Sequence, residues 1–154
     1  MKNSPLKFVC DEQLGRLAKW LRLQGFDAVF NCPFPDKELT RLAQSEGRVI
    51  LTRDRSLYSK TLWEAIVVIE EISYEKQLRE LRRKVKLPAI KMFSRCLECN
   101  KPVVLIEKQK VESRIPAEIY RNYEKFYTCP SCQKIFWEGT HVKNTQHRLS
   151  HILK

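Results

Sequence analysis

The chain has 154 residues, with 29 Lys+Arg against 18 Asp+Glu and a formal net charge of +11. A hydrophobic share of 43% is too high for wholesale disorder, and 31% charged residues is too many for a membrane protein. No apolar run approaches the roughly 18 residues of a membrane span, and the excess positive charge points first to a polyanion such as nucleic acid. The opening MKNSPLKFVCDEQ has no secretory apolar core, so a cytoplasmic location is expected. In chain order, LKFVC (6–10) reads as a short buried strand running into Asp11. EQLGRLAKWLRLQG follows with apolar residues at 14, 17, 18 and 21, a helical period, and Gly25 as its stop. FDAVF (26–30) is a second strand, and NCPFP a loop barred from regular structure by two prolines. Asp36 stands at an N-cap position before KELTRLAQSEG, which Gly47 ends. RVILT (48–52) is a third strand, RSLYSKTLWEA a short helix, IVVIE (66–70) a fourth strand, and SYEKQLRELRRKV (73–85) a helix with Leu78, Leu81 and Val85 inward. This β-α alternation predicts an α/β domain with a mostly parallel sheet over residues 1–90.

From about residue 91 the pattern changes to knuckle, strand (PVVLI), insertion, knuckle, strand (KIFWEG), and a helix from about 141. Cys96-Leu97-Glu98-Cys99 and Cys129-Pro130-Ser131-Cys132 are two C-x-x-C pairs separated by 29 residues. In a cytoplasmic protein this spacing predicts a zinc site rather than disulfides. Each pair turns both sulfurs toward one ion, and two pairs complete a tetrahedron with no position left for water, so the zinc is structural. The separation is read as a helical insertion, RIPAEIYRNYEKF. Four thiolates and one Zn²⁺ lower the formal charge to about +9. A unit of this size (91–154) depends on its metal for folding energy. Cys10 and Cys32 have no partner spacing, and both read as bystanders; Cys10 ends an apolar run as a small buried hydrophobe.

Asp11, Asp36 and Asp54 each follow a predicted strand. Ligands bind at the C-terminal strand ends of such sheets, so the three carboxylates are expected to share one rim. Grouped carboxylates repel, and a hard divalent cation relieves that repulsion. Mg²⁺ or Mn²⁺ there can orient a water and polarise a phosphoryl oxygen. Each aspartate also has a plainer reading: Asp11 and Asp36 as helix caps, Asp54 as a turn residue beside Arg53. Glu12 and Glu38 are adjacent candidates to supplement the site, and read more readily as solvated helix residues. Around the rim the chain is basic. Arg16, Lys19 and Arg22 recur at helical spacing, and Arg53 and Arg55 flank Asp54. Arg16, Lys19, Arg22 and Arg53 are the candidate phosphate contacts, since basic residues hold a nucleic-acid backbone while a metal acts on the bond. A second basic cluster runs from Arg79 to Lys86 and reads equally as a solvated helix face. Trp20 and Trp63 sit among apolar neighbours and read as core rather than as base-stacking residues.

The motifs DEQLGRLAKWLRLQGFD, RVILTRD, RCLECN, VESRIP, FYTCPSC and FWEGTH together resemble one family over roughly residues 6–150. It is the PIN-like ribonuclease domain with a zinc ribbon, found at the C-terminus of the Mut-seven exonuclease and in stand-alone prokaryotic proteins. The resemblance implies a three-layer α/β/α domain, metal-dependent RNA cleavage, and acidic site positions at Asp11, Asp36 and Asp54. It also implies a fourth acid near the end of the fourth strand or on the helix after it, where Glu70 and Glu71 are available and Ser73 occupies a helix-cap position. The expected activity is that of a Mg²⁺- or Mn²⁺-dependent endoribonuclease acting on RNA, with Lys101, Lys134 and Lys143 of the ribbon as further RNA contacts. The ribbon could equally serve as a lid or as a homodimer surface. His141 is read as a cap of the last helix or a phosphate contact. The competing readings are a non-catalytic module binding ribosomal or transfer RNA, and the toxin of a toxin–antitoxin pair.

Overall fold

The computed structural model describes residues 6–30, 35–60, 63–89 and 91–152; Cys32 and most of the NCPFP loop lie outside them. The first unit alternates strand and helix as its periodicity requires. Its elements are β1 (Lys7–Cys10), α1 (Gly15–Leu23), β2 (Asp27–Phe30), α2 (Asp36–Glu46), β3 (Val49–Thr52), α3 (Arg55–Lys60), β4 (Ile66–Val68) and α4 (Tyr74–Lys84). A single 3₁₀ turn over Glu12–Leu14 leads into α1. The strands form one parallel sheet in the order β2-β1-β3-β4.

Alternate side chains of a strand face opposite sides of the sheet. Phe8, Cys10 and Leu51 therefore join Leu14, Leu17, Leu21, Leu78 and Leu81 in one cluster, under α1 and α4. Val9 and Ile50 point the other way, to Leu39, Ala43 and Leu57 of α2 and α3. Helices cover both faces, giving the expected three-layer α/β/α arrangement. The Gly25 stop is legible in detail. Phe26 N–H bonds Leu21 O at 3.0 Å and Gly25 N–H bonds Arg22 O at 2.9 Å, the paired bonds that close a helix when the residue after it takes positive φ; Gly25 has φ +90°.

The second unit contains β5 (Val104–Ile106), α5 (Ala117–Asn122), β6 (Phe126–Thr128), β7 (Ile135–Trp137) and α6 (Thr140–Ile152). β5-β6-β7 form an antiparallel ribbon. The 29-residue separation is less helical than expected. It holds a 3₁₀ segment over Lys108–Arg114, the short α5, and then β6, the strand between β5 and β7. Phe126-Tyr127-Thr128 is aromatic and β-branched, and its pairing on both edges outweighs any helical continuation. α6 leaves the ribbon and returns to the first unit. Leu149 and Ile152 enter the same cluster as Phe8 and Leu17, Arg79 Nε donates to Ile152 O at 2.8 Å, and Arg148 pairs with Glu75 at 2.8 Å. α6 therefore shares a hydrophobic core with the parallel-sheet unit. No helix among the described residues is long and apolar enough to cross a membrane.

Candidate functional site

The four ribbon cysteines converge as their spacing requires. Their sulfurs all lie within 4.8 Å of one another, and Cys96 Sγ is 3.7 Å from Cys132 Sγ. A tetrahedral zinc with Zn–S near 2.3 Å needs sulfurs about 3.8 Å apart, so the donor set fits that ion. The two knuckles are built alike. Asn100 N–H returns to Cys96 O at 3.0 Å and Gln133 N–H to Cys129 O at 2.9 Å, while Cys96 N–H and Cys129 N–H bond Lys101 O and Lys134 O. Asn100 and Gln133 both adopt φ +59° to make this turn. Without metal the thiols differ. Burial pushes Cys96 up to about 11. Burial raises Cys129 as well, but the backbone N–H groups of Cys132 and Ser131 outweigh it and bring that thiol down to about 7. Cys10, fully buried, is pushed up to about 12 and is inert, as its position in an apolar run implies.

The first knuckle docks on β2, the edge strand of the parallel sheet. Asn100 Oδ1 accepts Ala28 N–H at 3.1 Å, and Asn100 Nδ2 donates to Asp27 Oδ1 at 2.7 Å. Asp27 also receives Arg48 at 2.7 Å, so burial's upward push on its carboxyl is overcome and the group sits below its ordinary range. Arg22 corrects the expectation of a phosphate contact. It is 5% exposed and donates to Ala28 O at 2.8 Å, Leu97 O at 2.7 Å and Glu98 O at 2.9 Å. Two of those carbonyls belong to the Cys96–Cys99 turn, so Arg22 fastens the zinc knuckle to the sheet. The helical wheel holds the signal: at 100° per residue Arg22 lies only about 40° from Ala18 on the buried stripe, whereas Arg16 lies about 160° away. Lys19 is also turned to the knuckle, pairing with Glu98 at 3.1 Å with both side chains about half exposed. Arg16 is exposed, with its guanidinium over the Tyr74 ring at 4.8 Å. Trp20 stacks on that ring at 5.1 Å, and Trp63 donates to Arg48 O at 2.9 Å, so both tryptophans are structural as expected.

Two of the three predicted acidic residues, Asp11 and Asp54, stand at neighbouring C-terminal strand ends. β1 and β3 are neighbours, but the chain runs from β1 outward to β2 before crossing back to β3. This is the topological switch point, the place where such sheets bind their ligands. Asp11 follows β1 there, and the buried Thr52 at the end of β3 donates its hydroxyl to Asp11 Oδ2 at 2.6 Å. The same Thr52 Oγ1 accepts Asp54 N–H at 2.9 Å, so one hydroxyl ties Asp11 to Asp54. Sequence reasoning gave Thr52 no role; a hydroxyl ending an apolar strand one residue before Arg-Asp was the available signal. Asp54 caps α3 through Ser56 N–H at 2.7 Å and the Ser56 hydroxyl at 2.9 Å. Asp36 is exposed and is the first residue of α2, with Pro35 rather than Asp36 in the cap position. Among the described residues, the four cysteines are the only set of three or more His, Cys, Asp or Glu ligand atoms that converges. Glu70 pairs with Arg55. Glu80, on the helix after β4, is buried, but its carboxylate is used by the N–H groups of Glu70 and Glu71 and by Lys84 at 2.6 Å. Arg53, between Thr52 and Asp54, is half-buried, and its Nε has no hydrogen-bond partner among the described residues.

A family model described as the Mut7-C RNAse domain matches residues 6–149. The chain belongs to that family. No curated protein and no solved structure matches it. Membership in the Mut7-C RNAse domain family points to ribonuclease-type chemistry with RNA as the substrate. The α/β unit with its parallel sheet and the C-terminal four-cysteine ribbon accord with it.

Proposed function

We propose that the chain is a metal-dependent endoribonuclease whose acidic residues are Asp11, Asp36 and Asp54. The observation that carries this reading is the Thr52 hydroxyl, which ties two acidic residues of adjacent strands together at the sheet's switch point. Mg²⁺ or Mn²⁺ bound at these carboxylates would polarise the phosphodiester and make water a stronger nucleophile. Thr52 occupies Asp11 Oδ2, so Oδ1 is the oxygen offered to a cation. Asp54, whose carboxylate accepts the Ser56 N–H and hydroxyl, would supply the second carboxylate. Asp36 would supply the third carboxylate from the start of α2. Arg53 is the first choice for the scissile phosphate, because a buried donor without a partner gains most from an anionic oxygen. Arg16 and Lys19, already engaged with Tyr74 and Glu98, would contact the strand farther from the bond.

The test is cleavage of single-stranded and structured RNA by zinc-loaded protein with added Mg²⁺ or Mn²⁺. Asp11→Asn with Asp54→Asn should lower the rate at least about 100-fold, the scale of losing positioned electrostatic stabilisation. The competing reading, a non-catalytic RNA-binding module, draws on the cap role of Asp54. Equal behaviour of wild type and double variant, with RNA bound but uncut, would establish it and end the nuclease proposal.

A further inference from the structure

The ribbon carries a feature that the acidic rim does not use. A cavity of about 540 Å³ opens where α5, β7 and the start of α6 meet. Its lining includes Phe93, Tyr123, Phe136 and Trp137, together with Gly139 and His141. All four aromatics are half-buried, neither sealed in the core nor fully in water. Two of them bring polar ends to one place. A side-chain carbon on Gly139 would lie 2.9 Å from Trp137 Nε1 and 3.4 Å from Tyr123 Oη, so the absence of a side chain there keeps an indole N–H and a phenol beside the cavity wall. Phe93 reaches the cavity from a backbone held at φ +58°, a conformation that costs a bulky residue energy. Its N–H is anchored on Leu23 O at 3.1 Å.

The unit that carries the cavity is basic. Residues 91–154 hold 12 Lys+Arg and 6 Asp+Glu, a net +6 that four thiolates and one Zn²⁺ lower to about +4. Flat apolar walls and a few hydrogen-bonding groups in a net-positive unit complement a polymer of flat bases on an anionic backbone. We infer that this cavity binds an unpaired nucleobase of single-stranded RNA, stacked against Trp137 and Tyr123, with the net positive charge of the unit favouring the anionic backbone. The inference rests on RNA being the substrate, and it adds that the ribbon selects unpaired strand. An aromatic pocket accepts a base only when the base has left its own stack.

Binding separates this from the catalytic proposal. Zinc-loaded full-length protein, without added Mg²⁺ or Mn²⁺, is titrated with a labelled single-stranded RNA and with an abasic strand of the same ribose-phosphate chain. The base-bearing strand should bind about tenfold more tightly, and Trp137→Ala should remove most of that advantage while leaving abasic binding unchanged. Trp137→Phe should restore much of it by returning a ring. Photocrosslinking of wild-type protein to 4-thiouridine RNA needs no variant and should label peptides containing Tyr123, Phe136 or Trp137. Equal affinity for both strands, an indifferent Trp137→Ala, or crosslinks confined to other segments would overturn the inference. Metal-dependent cleavage with an indifferent pocket leaves the nuclease standing without this site; base-dependent binding without cleavage leaves the site standing without the nuclease.

Discussion

Replacing Arg22 by Met tests how the two units are joined. The wild-type guanidinium makes three hydrogen bonds of 2.7–2.9 Å to carbonyls of β2 and the first knuckle. Hydrogen bonds from a charged donor contribute roughly 1.5–3 kcal/mol each, a gross of about 5–9 kcal/mol. Against that stands the desolvation of a buried cation, several kcal/mol, and the same burial pulls the Arg22 pKa down from its ordinary value. Met preserves part of the stem's packing but leaves three carbonyls without their donor. The net loss expected is about 2–4 kcal/mol. At about 2–4 °C per kcal/mol for a chain of this size, the melting temperature should fall by roughly 4–16 °C. Zinc should also escape faster, because two of the lost bonds brace the turn between Cys96 and Cys99. Circular-dichroism melting of zinc-loaded protein and zinc transfer to a chromophoric chelator read the two effects. Arg22→Lys, with its charge but not its planar fork, should fall between. An Arg22→Met protein that melts with wild type, holds its zinc and binds RNA poorly would refute the structural assignment and return Arg22 to the phosphate-binding surface.

Metal analysis of purified protein should find about one zinc per chain, as four thiolates complete one tetrahedron, and Cys129→Ser should lower zinc content together with the melting temperature; wild-type protein with well under one zinc would contradict the ribbon. Acid should release the metal, because each thiol must lose a proton to bind it, and a chelator titration that is insensitive to pH would argue against thiolate ligation. Asp27 has a folded pKa below its unfolded value of about 3.9, so its stabilisation is fully present above that value and is lost as pH falls through the lower folded one. Asp27→Asn should therefore flatten the acid limb of stability against pH; an unchanged limb would remove Asp27 as its source. Gly25→Ala should cost about 1–3 kcal/mol, since φ is +90° and the added carbon would meet Lys91 O at 2.5 Å and Ser94 Oγ at 2.6 Å; denaturant unfolding within about 0.5 kcal/mol of wild type would show the helix stop to be tolerant.

The amino-acid sequence by itself determined what depends on local period and spacing. Leu14, Leu17, Ala18 and Leu21 declare a helix because neighbours at 3.6-residue intervals share a face. LKFVC and RVILT declare strands buried on both sides, and Gly25 and Gly47 stop helices because they accept positive φ. Cys96, Cys99, Cys129 and Cys132 fix a metal site because two short turns can each present a pair of sulfurs to one ion. The positions of Asp11, Asp36 and Asp54 after their strands were legible for the same reason. Only the tertiary structure decided which charges are spent within the fold. Arg22 meets Leu97 and Glu98, and Asn100 meets Asp27 and Ala28, across more than 70 residues, and no local pattern encodes such a partner. Thr52 acquires its role because β1 and β3, distant in sequence, lie side by side. Leu149 and Ile152 belong to the first unit's core because α6 turns back to it. A hydrogen-bonding group's role depends on what lies opposite when water is excluded, and the folded chain alone settles that.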